Sequence, residues 1–170
     1  MSFKTLGLGI AIMVALTVLI TGKELYDTAS SPKGFYISPD DRELVALGRV
    51  LYVSHCAACH GAKLEGQPNW RERRPNGRLP APPHDASGHT WHHPDAVLFD
   101  ITRNGFVPGR TAPEGYETDM PAYAGILSDE EIVAVIAYIK STWPPDVRTL
   151  HDEVNHNAWQ RQIKAHAATP

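Results

Sequence analysis

The chain has 170 residues, of which 42% are hydrophobic and 21% charged, a composition typical of a folded protein with room for one domain of ordinary size. The formal net charge of −3 gives no reason to expect nucleic-acid binding through overall charge, because proteins that bind polyanions normally carry a clear basic excess. Fourteen prolines and thirteen glycines predict long irregular stretches, most of them between residues 61 and 121.

The first residues are predicted to form a membrane anchor. The run LGLGIAIMVALTVLITG carries no charge, and its seventeen residues lie at the lower limit for crossing a hydrocarbon core of about 30 Å. No clean small-x-small cleavage site follows, which favours a retained signal anchor over a cleaved signal peptide. We therefore expect a single transmembrane helix within residues 1–22, in the inner (cytoplasmic) membrane, with the following chain on the periplasmic side.

Residues 23–37 are polar, contain SSPKG and show no apolar periodicity, so they are predicted to form a flexible tether. Fully extended, such a segment would span about 50 Å, which would let an attached domain move along a membrane surface. Residues 38–143 are expected to form the folded domain. Residues 144–170 are a C-terminal extension, expected as a loosely attached amphipathic helix with a frayed end.

Two long helices are predicted to frame this domain. The first begins in SPDDRELVALGRVLYVSHC, with Ser38 as the N-cap, and the glycine at Gly48 on its apolar face indicates a close helix crossing. The second, LSDEEIVAVIAYIKSTWPP, starts with a capping box of Ser128 and Glu131. A shorter helix is predicted over Pro94–Asn104. No stretch alternates long enough to predict a strand, so the fold class is all-α with long loops.

The only two cysteines stand in HCAACH, residues 55–60. A C-x-x-C disulfide would close too small a loop to stabilise much, a structural zinc site would need a second pair of ligands, and a thioredoxin-like dithiol would follow a strand. C-x-x-C-H is instead the pattern for attaching a c-type haem. We expect Cys56 and Cys59 to bind one haem covalently and His60 to ligate its iron, with His55 a bystander near the haem edge.

The second axial ligand of iron is assigned by elimination to Met120, in TDMPAYAG. Apart from Met1 and Met13 it is the only methionine. It stands in a polar, proline-containing loop, where a role in filling a gap in the hydrophobic core is a poor explanation. Histidine is the main alternative, and several are available: His55, His84, His89, His92 and His93. Iron with two protein ligands has no open position for a substrate, so we predict an electron-transfer protein rather than an enzyme.

The order of these motifs resembles class I cytochrome c over about residues 38–143. The motifs are a capped helix with a glycine and an aromatic residue, CAACHG, a proline-rich loop, TW before a short helix, MPAYAG, and a last helix reading IVAVIAYIKSTW. The resemblance implies the fold of that class, a haem wrapped by loops and a short middle helix. It further implies that the first and last helices cross through four residues: Gly48, Tyr52, Val135 and Tyr138.

Two more site residues are implied by the resemblance. The carbonyl of Pro82 would accept the proton on the far nitrogen of His60, and the indole N–H of Trp91 would bind a haem propionate. The segment GQPNWRERRPNGRLPAPPHDASGHTWHH is a departure, because it is longer and more basic than the corresponding loop of short members of this class.

The expected function is one-electron transfer by a membrane-tethered periplasmic carrier. Its partners would be membrane redox complexes such as a quinol-oxidising complex, a terminal oxidase or a photosynthetic reaction centre. Four arginines opposed only by Glu72 are the candidate docking charges: Arg71, Arg73, Arg74 and Arg78. Two alternatives stay open, a fixed cytochrome subunit of a larger membrane complex and a metal-handling protein that uses the histidines of HDASGHTWHH.

Overall fold

The computed structural model describes residues 35–168. The predicted anchor, most of the predicted tether and the last two residues lie outside the described residues. Within the described part, no helix has both the length and the apolar character that a membrane crossing requires.

The described chain folds as a set of helices joined by long loops, with no strand between residues 35 and 168. In chain order the elements are α1 (Arg42–His55), α2 (Ala57–His60), a short 3-10 helix (Thr90–His92), α3 (Asp95–Asn104), α4 (Asp129–Ser141) and α5 (Pro145–Ala167). The prediction of an all-helical domain is confirmed. The capping box on α4 is present, since Ser128 and Glu131 exchange side-chain to backbone hydrogen bonds.

Helix α1 starts later than the sequence pattern predicts. Asp41, rather than Ser38, is the N-cap, because its Oδ1 accepts hydrogen bonds from the backbone N–H groups of Glu43 at 3.1 Å and Leu44 at 3.0 Å. Aspartate and serine cap helices about equally well, so the sequence offered two competing starts one turn apart. The prediction of Ser38 as N-cap is wrong, and Pro39 is a buried residue outside the helix.

The crossing of α1 and α4 is as close as the glycine indicated. A Cβ atom at Gly48 would lie 1.9 Å from the backbone oxygen of Ala134 and 2.9 Å from Cβ of Tyr138. One turn further along, the rings of Tyr52 and Tyr138 are 5.4 Å apart, and Tyr52 shares a buried cluster with Val135. The predicted contact is confirmed, with the backbone of Ala134 as its closest point.

The C-terminal extension is attached more firmly than expected. Asp95, at the start of α3, is fully buried and lies 2.7 Å from Nζ of Lys140 on α4. On α5, Asn155 accepts from the backbone N–H of Asp95 at 2.7 Å and donates to its carboxylate at 3.0 Å. His151 lies 3.6 Å from the same carboxylate. The first half of α5 therefore docks on a buried polar cluster, and the expectation of loose attachment is wrong for that half.

The same cluster holds Ile37, the last residue assigned to the tether. Its side chain is 2% exposed, and its backbone N–H donates to the carboxylate of Asp95 at 2.8 Å. Its carbonyl accepts from the ammonium of Lys140. The packed domain therefore includes at least Ile37, ahead of the predicted start at residue 38.

Candidate functional site

The two cysteines lie on a single turn of helix. Cys56 is the residue between α1 and α2, and its carbonyl accepts from the backbone N–H of Cys59 at 3.1 Å. Both thiols are free, with Cys56 partly buried and Cys59 exposed. Burial raises the pKa of the Cys56 thiol to about 11, with a smaller contribution from Cys59, so the thiol is protonated at neutral pH. The turn thus presents two S–H groups three residues apart, one facing the interior and one at the surface.

His60 ends the same turn and is buried. Its Nδ1 lies 2.8 Å from the carbonyl oxygen of Pro82; because a carbonyl only accepts, Nδ1 carries the proton of a neutral ring. Nε2 then has a free lone pair. Burial lowers the pKa of His60, which favours the neutral form that ligates a metal. The hydrogen bond expected between His60 and Pro82 is present, and ligation of iron by the other nitrogen stays a prediction.

The proline that binds His60 is held in place by the loop after α2. The carbonyl of His60 accepts from the backbone N–H of Gly66 at 2.8 Å, and Gly66 has a φ of +69°, a conformation that side chains disfavour. The next residue, Gln67, donates its backbone N–H to Ala81 at 2.9 Å and accepts the N–H of Ala81 on its side-chain oxygen at 2.9 Å. Three hydrogen bonds thus fix the segment that carries Pro82 against the turn of His60.

His84 stacks on His60, a contact that the sequence did not indicate. Their ring centroids are 3.9 Å apart with an interplanar angle of 20°. Nδ1 of His84 lies 2.8 Å from the hydroxyl of Thr90, and its carbonyl accepts from the indole N–H of Trp143 at 2.8 Å. Burial lowers the pKa of His84 well below its usual value, so this ring is neutral. Rings stacked face to face do not sit on opposite sides of one iron, so this arrangement argues against His84 as the second axial ligand.

Trp91 offers a buried donor without an acceptor. Its indole N–H is buried and has no hydrogen-bond partner in the described part of the chain. A buried polar group left unpaired costs about 1–3 kcal/mol, so such a donor indicates an acceptor that the polypeptide does not supply. A propionate of a bound haem would fit this requirement, and the role expected for Trp91 stays a prediction.

The loop of Met120 is anchored on its C-terminal side. Met120 is partly buried and packs against the cluster that includes Ile132 and Ile136. Three residues later, the phenol of Tyr123 donates to the carbonyl of His55 at 2.7 Å, which ties the loop to the residue next to the first cysteine. The His55 side chain is exposed, and its ring also meets that of Tyr123 edge-on, with centroids 6.3 Å apart. Coordination by Met120 stays a prediction.

The four arginines of the basic segment, residues 66–93, already have contacts within the domain. Arg78 pairs with Asp119 at 2.5 Å and with Glu117 at 3.4 Å, and Arg74 lies 3.5 Å from the same aspartate. The other two arginines lie over aromatic rings, Arg71 at 4.0 Å from the ring of Trp70 and Arg73 at 5.8 Å from that of Tyr116. The expectation that only Glu72 opposes the cluster is wrong. The two acids were missed because they lie about 40 residues along the chain.

The histidine cluster gives no support to the metal-handling alternative. Between residues 35 and 168, no group of three or more His, Cys, Asp or Glu side chains is placed to hold a metal ion. His89 instead stacks on Trp70, with centroids 5.2 Å apart, and contacts the ring of His93 at 5.4 Å. The carbonyl of His93 accepts from the ring of His151 at 3.0 Å. These residues pack the long loop against α5.

Comparison with known proteins gives one match. The family model described as Cytochrome c matches residues 45–143, which is more than half of the chain. The matched range runs from α1 through both cysteines, the long loop and Met120 to the end of α4. No curated protein and no solved structure matches the chain.

Proposed function

Because this chain belongs to the cytochrome c family, as a class I c-type cytochrome that binds haem covalently and carries electrons, we propose that Cys56, Cys59, His60 and Met120 together hold its single haem. The observation that carries the proposal is His60. It is buried, neutral and oriented by Pro82, and it stands on the same turn as two free thiols. The unpaired indole N–H of Trp91 supports the placement of a propionate.

The polypeptide side of attachment follows from the state of the thiols. Cys56 and Cys59 would hold the haem, each thiol through one thioether bond. Burial keeps the proton on Cys56 at neutral pH. Cys59 is exposed, so its thiol would hold the group from the surface side of the turn.

When bound, the haem supplies an iron that alternates between the ferrous and ferric states. His60 and Met120 would hold the iron, and the chemistry that the haem would supply is the transfer of one electron. A methionine sulfur raises the reduction potential relative to a second histidine. The hydrogen bond from His60 to Pro82 holds the imidazole in the ligating orientation.

The ligand assignment is tested by the absorption spectrum of the ferric holoprotein. We expect the weak far-red band of haem with a methionine sulfur ligand in the parent. The band should disappear in Met120→Ala and persist in His84→Gln, the control that removes the histidine stacked on His60. Absence of the band in the parent, or its survival in Met120→Ala, would exclude methionine ligation.

We propose that the carrier is tethered to the inner membrane with its haem domain in the periplasm. The support is the uncharged apolar run of residues 6–22, followed by a polar segment. A tether confines carrier and partner to one thin layer and raises their effective concentration. The partners proposed are a quinol-oxidising complex as donor and a terminal oxidase or photosynthetic reaction centre as acceptor. Membrane fractionation with a protease applied from the periplasmic side tests both parts, since release of the haem domain requires the proposed topology.

One observation favours the alternative of a fixed subunit. Three apolar side chains on one outer face of α1 are exposed, Leu47 by 44%, Val50 by 64% and Val53 by 61%. A larger complex would cover such a face. After cleavage of the tether and a wash in high salt, a free carrier would leave the membrane, whereas a subunit would remain. If the haem domain remains on the membrane but is released in Val50→Ser/Val53→Ser, this face of α1 makes the contact with the complex.

A further inference from the structure

We propose that Arg74 and Arg78 form a latch on Asp119 that holds the Met120 loop closed, and that the long basic segment thereby stabilises the bond between methionine and iron. This inference rests on the proposed function, in which Met120 ligates iron. It assigns to two of the four arginines a positioning role within the molecule in place of the docking role expected from sequence.

The backbone of the basic segment brings the two guanidinium groups to one acceptor. Arg74 donates its backbone N–H to the carbonyl of Arg78 at 2.9 Å, and Gly77 donates to the carbonyl of Arg74 at 2.8 Å. In this turn, Nη1 of Arg78 binds Oδ1 of Asp119 at 2.5 Å, and Nη1 of Arg74 lies 3.5 Å from Oδ2. Arg78 also reaches Glu117 at 3.4 Å. Both oxygens of the carboxylate next to Met120 therefore face the basic segment.

The latch also connects the two sides of the proposed iron site. Nη2 of Arg74 donates to the side-chain oxygen of Gln67 at 2.7 Å. That oxygen accepts from the backbone N–H of Ala81, the residue before the proline that orients His60. A single guanidinium thus contacts the segment behind the histidine ligand and the residue before the methionine ligand.

The Met120 loop is held to the domain differently on its two sides. After Met120, the loop is tied to α1 by Tyr123. Before it, the hydrogen bond from the backbone N–H of Met120 to Thr118 is local and does not reach another part of the domain. The chain at Gly115 has a φ of +71° and open space around it, as expected for an exposed turn. The arginine contacts to Glu117 and Asp119 connect this side of the loop to the domain, together with the ring of Tyr116, which lies 5.1 Å from the ring of Phe106.

The size of the effect follows from exposure. The side chains of Arg74, Arg78 and Asp119 are 39–46% exposed, so each ion pair is screened by water and salt and is individually weak. Acting together, they should change the equilibrium for opening the loop by about 3- to 10-fold. Added salt should weaken the latch in the same direction as removing it.

Imidazole titration of the ferric full-length holoprotein measures loop opening, because exogenous imidazole binds iron only when the methionine leaves. We expect Arg78→Gln and Asp119→Asn each to tighten the imidazole Kd by about 3- to 10-fold. The double variant should tighten the Kd by less than the product of the two single effects, since both changes break the contact between Arg78 and Asp119, while each single variant leaves one further ion pair in place. Arg71→Gln, from the same segment but placed over Trp70, is the matched control and should leave the Kd unchanged.

The reduction potential separates the latch from simple electrostatics. Loss of the positive charge in Arg78→Gln should lower the potential, and loss of the negative charge in Asp119→Asn should raise it by charge alone. A latch predicts that imidazole affinity nevertheless rises in both. In the parent, high salt should tighten imidazole binding towards the value of the variants, and in the double variant it should have no such effect.

The outcomes distinguish this proposal from the proposed function. If the parent lacks the far-red band of methionine ligation, the ligand assignment fails and the latch fails with it. If the band is present and disappears in Met120→Ala, but imidazole affinity is unchanged in both single variants or the double variant is additive, only the latch is overturned. Tighter imidazole binding in both single variants, without additivity, supports it.

Discussion

Replacing Lys140 with methionine isolates the buried cluster that joins α3, α4 and α5. Methionine keeps most of the length of the lysine chain and removes its charge. Lys140 and Asp95 are 2% and 0% exposed, with Nζ 2.9 and 2.7 Å from the two carboxylate oxygens. Burial lowers the pKa of Lys140, while Asp95 acts in the opposite direction. The substitution therefore leaves a buried carboxylate whose remaining described donors are the N–H of Ile37 and the amide of Asn155.

The cost of that change follows from leaving the buried carboxylate without its ammonium partner. Breaking a buried pair by removing one partner typically costs about 3–5 kcal/mol. We therefore expect Lys140→Met to lose about 3–5 kcal/mol at pH 7 and about 10–20 °C in Tm.

Guanidinium unfolding of the holoprotein at pH 7 measures this loss. Asp95→Asn/Lys140→Met should recover part of the loss, and Lys63→Met, at an exposed position, should change stability little. A loss below about 1 kcal/mol at pH 7 would refute the reasoning.

Three further predictions concern the helix crossing, the docking of α5 and the haem edge. Gly48→Ala should destabilise the domain by about 1–3 kcal/mol in chemical unfolding, because the new Cβ would lie 1.9 Å from the backbone oxygen of Ala134. His151→Gln should flatten the pH dependence of stability: burial lowers the pKa of His151 to about 4, so the parent loses stability as pH falls from about 6.5 to 4, while the unfolded chain takes up the proton first. Trp91→Phe should lower the reduction potential by tens of millivolts in a redox titration, because a propionate without its donor favours ferric iron; a tenfold change corresponds to about 59 mV.

Each of these has a matched control and a contradicting result. Ala46→Gly, on the exposed face of α1, measures helix propensity alone, and a Gly48→Ala variant as stable as the parent would show that the helices separate freely. His166→Gln, at an exposed position on α5, should change stability little, whereas an unchanged slope of stability against pH in His151→Gln would contradict the assignment of that dependence to His151. Trp70→Phe should not shift the potential, and a Trp91→Phe potential equal to that of the parent would leave the propionate without this donor.

Local signals in the sequence predicted the framing helices and the turn that carries the cysteines. Capping residues, apolar periodicity and the spacing of C-x-x-C-H act within a few residues of one another, so they can be read without the fold. Local signals failed at the start of α1, where Ser38 was predicted as the N-cap and Asp41 is observed, because both residues are good caps and lie within one turn.

The contacts that sequence reasoning missed join residues far apart in the chain. Asp119 lies 41 residues from Arg78, and Asp95 lies 60 residues from Asn155. In each case the local sequence shows only an unremarkable charged or polar residue. The docking of α5 was missed for the same reason, since its buried face consists of a valine, a histidine and an asparagine rather than an apolar stripe.

The hydrogen bonds to Ile37 determine where mechanical load enters the domain. The carboxylate and the ammonium of the buried pair bind the two backbone groups of this residue rather than its side chain. A pull on the chain ahead of Ile37 would therefore act on Asp95 in α3 and Lys140 in α4 through hydrogen bonds, as well as on α1 through the packed side chain of Ile37.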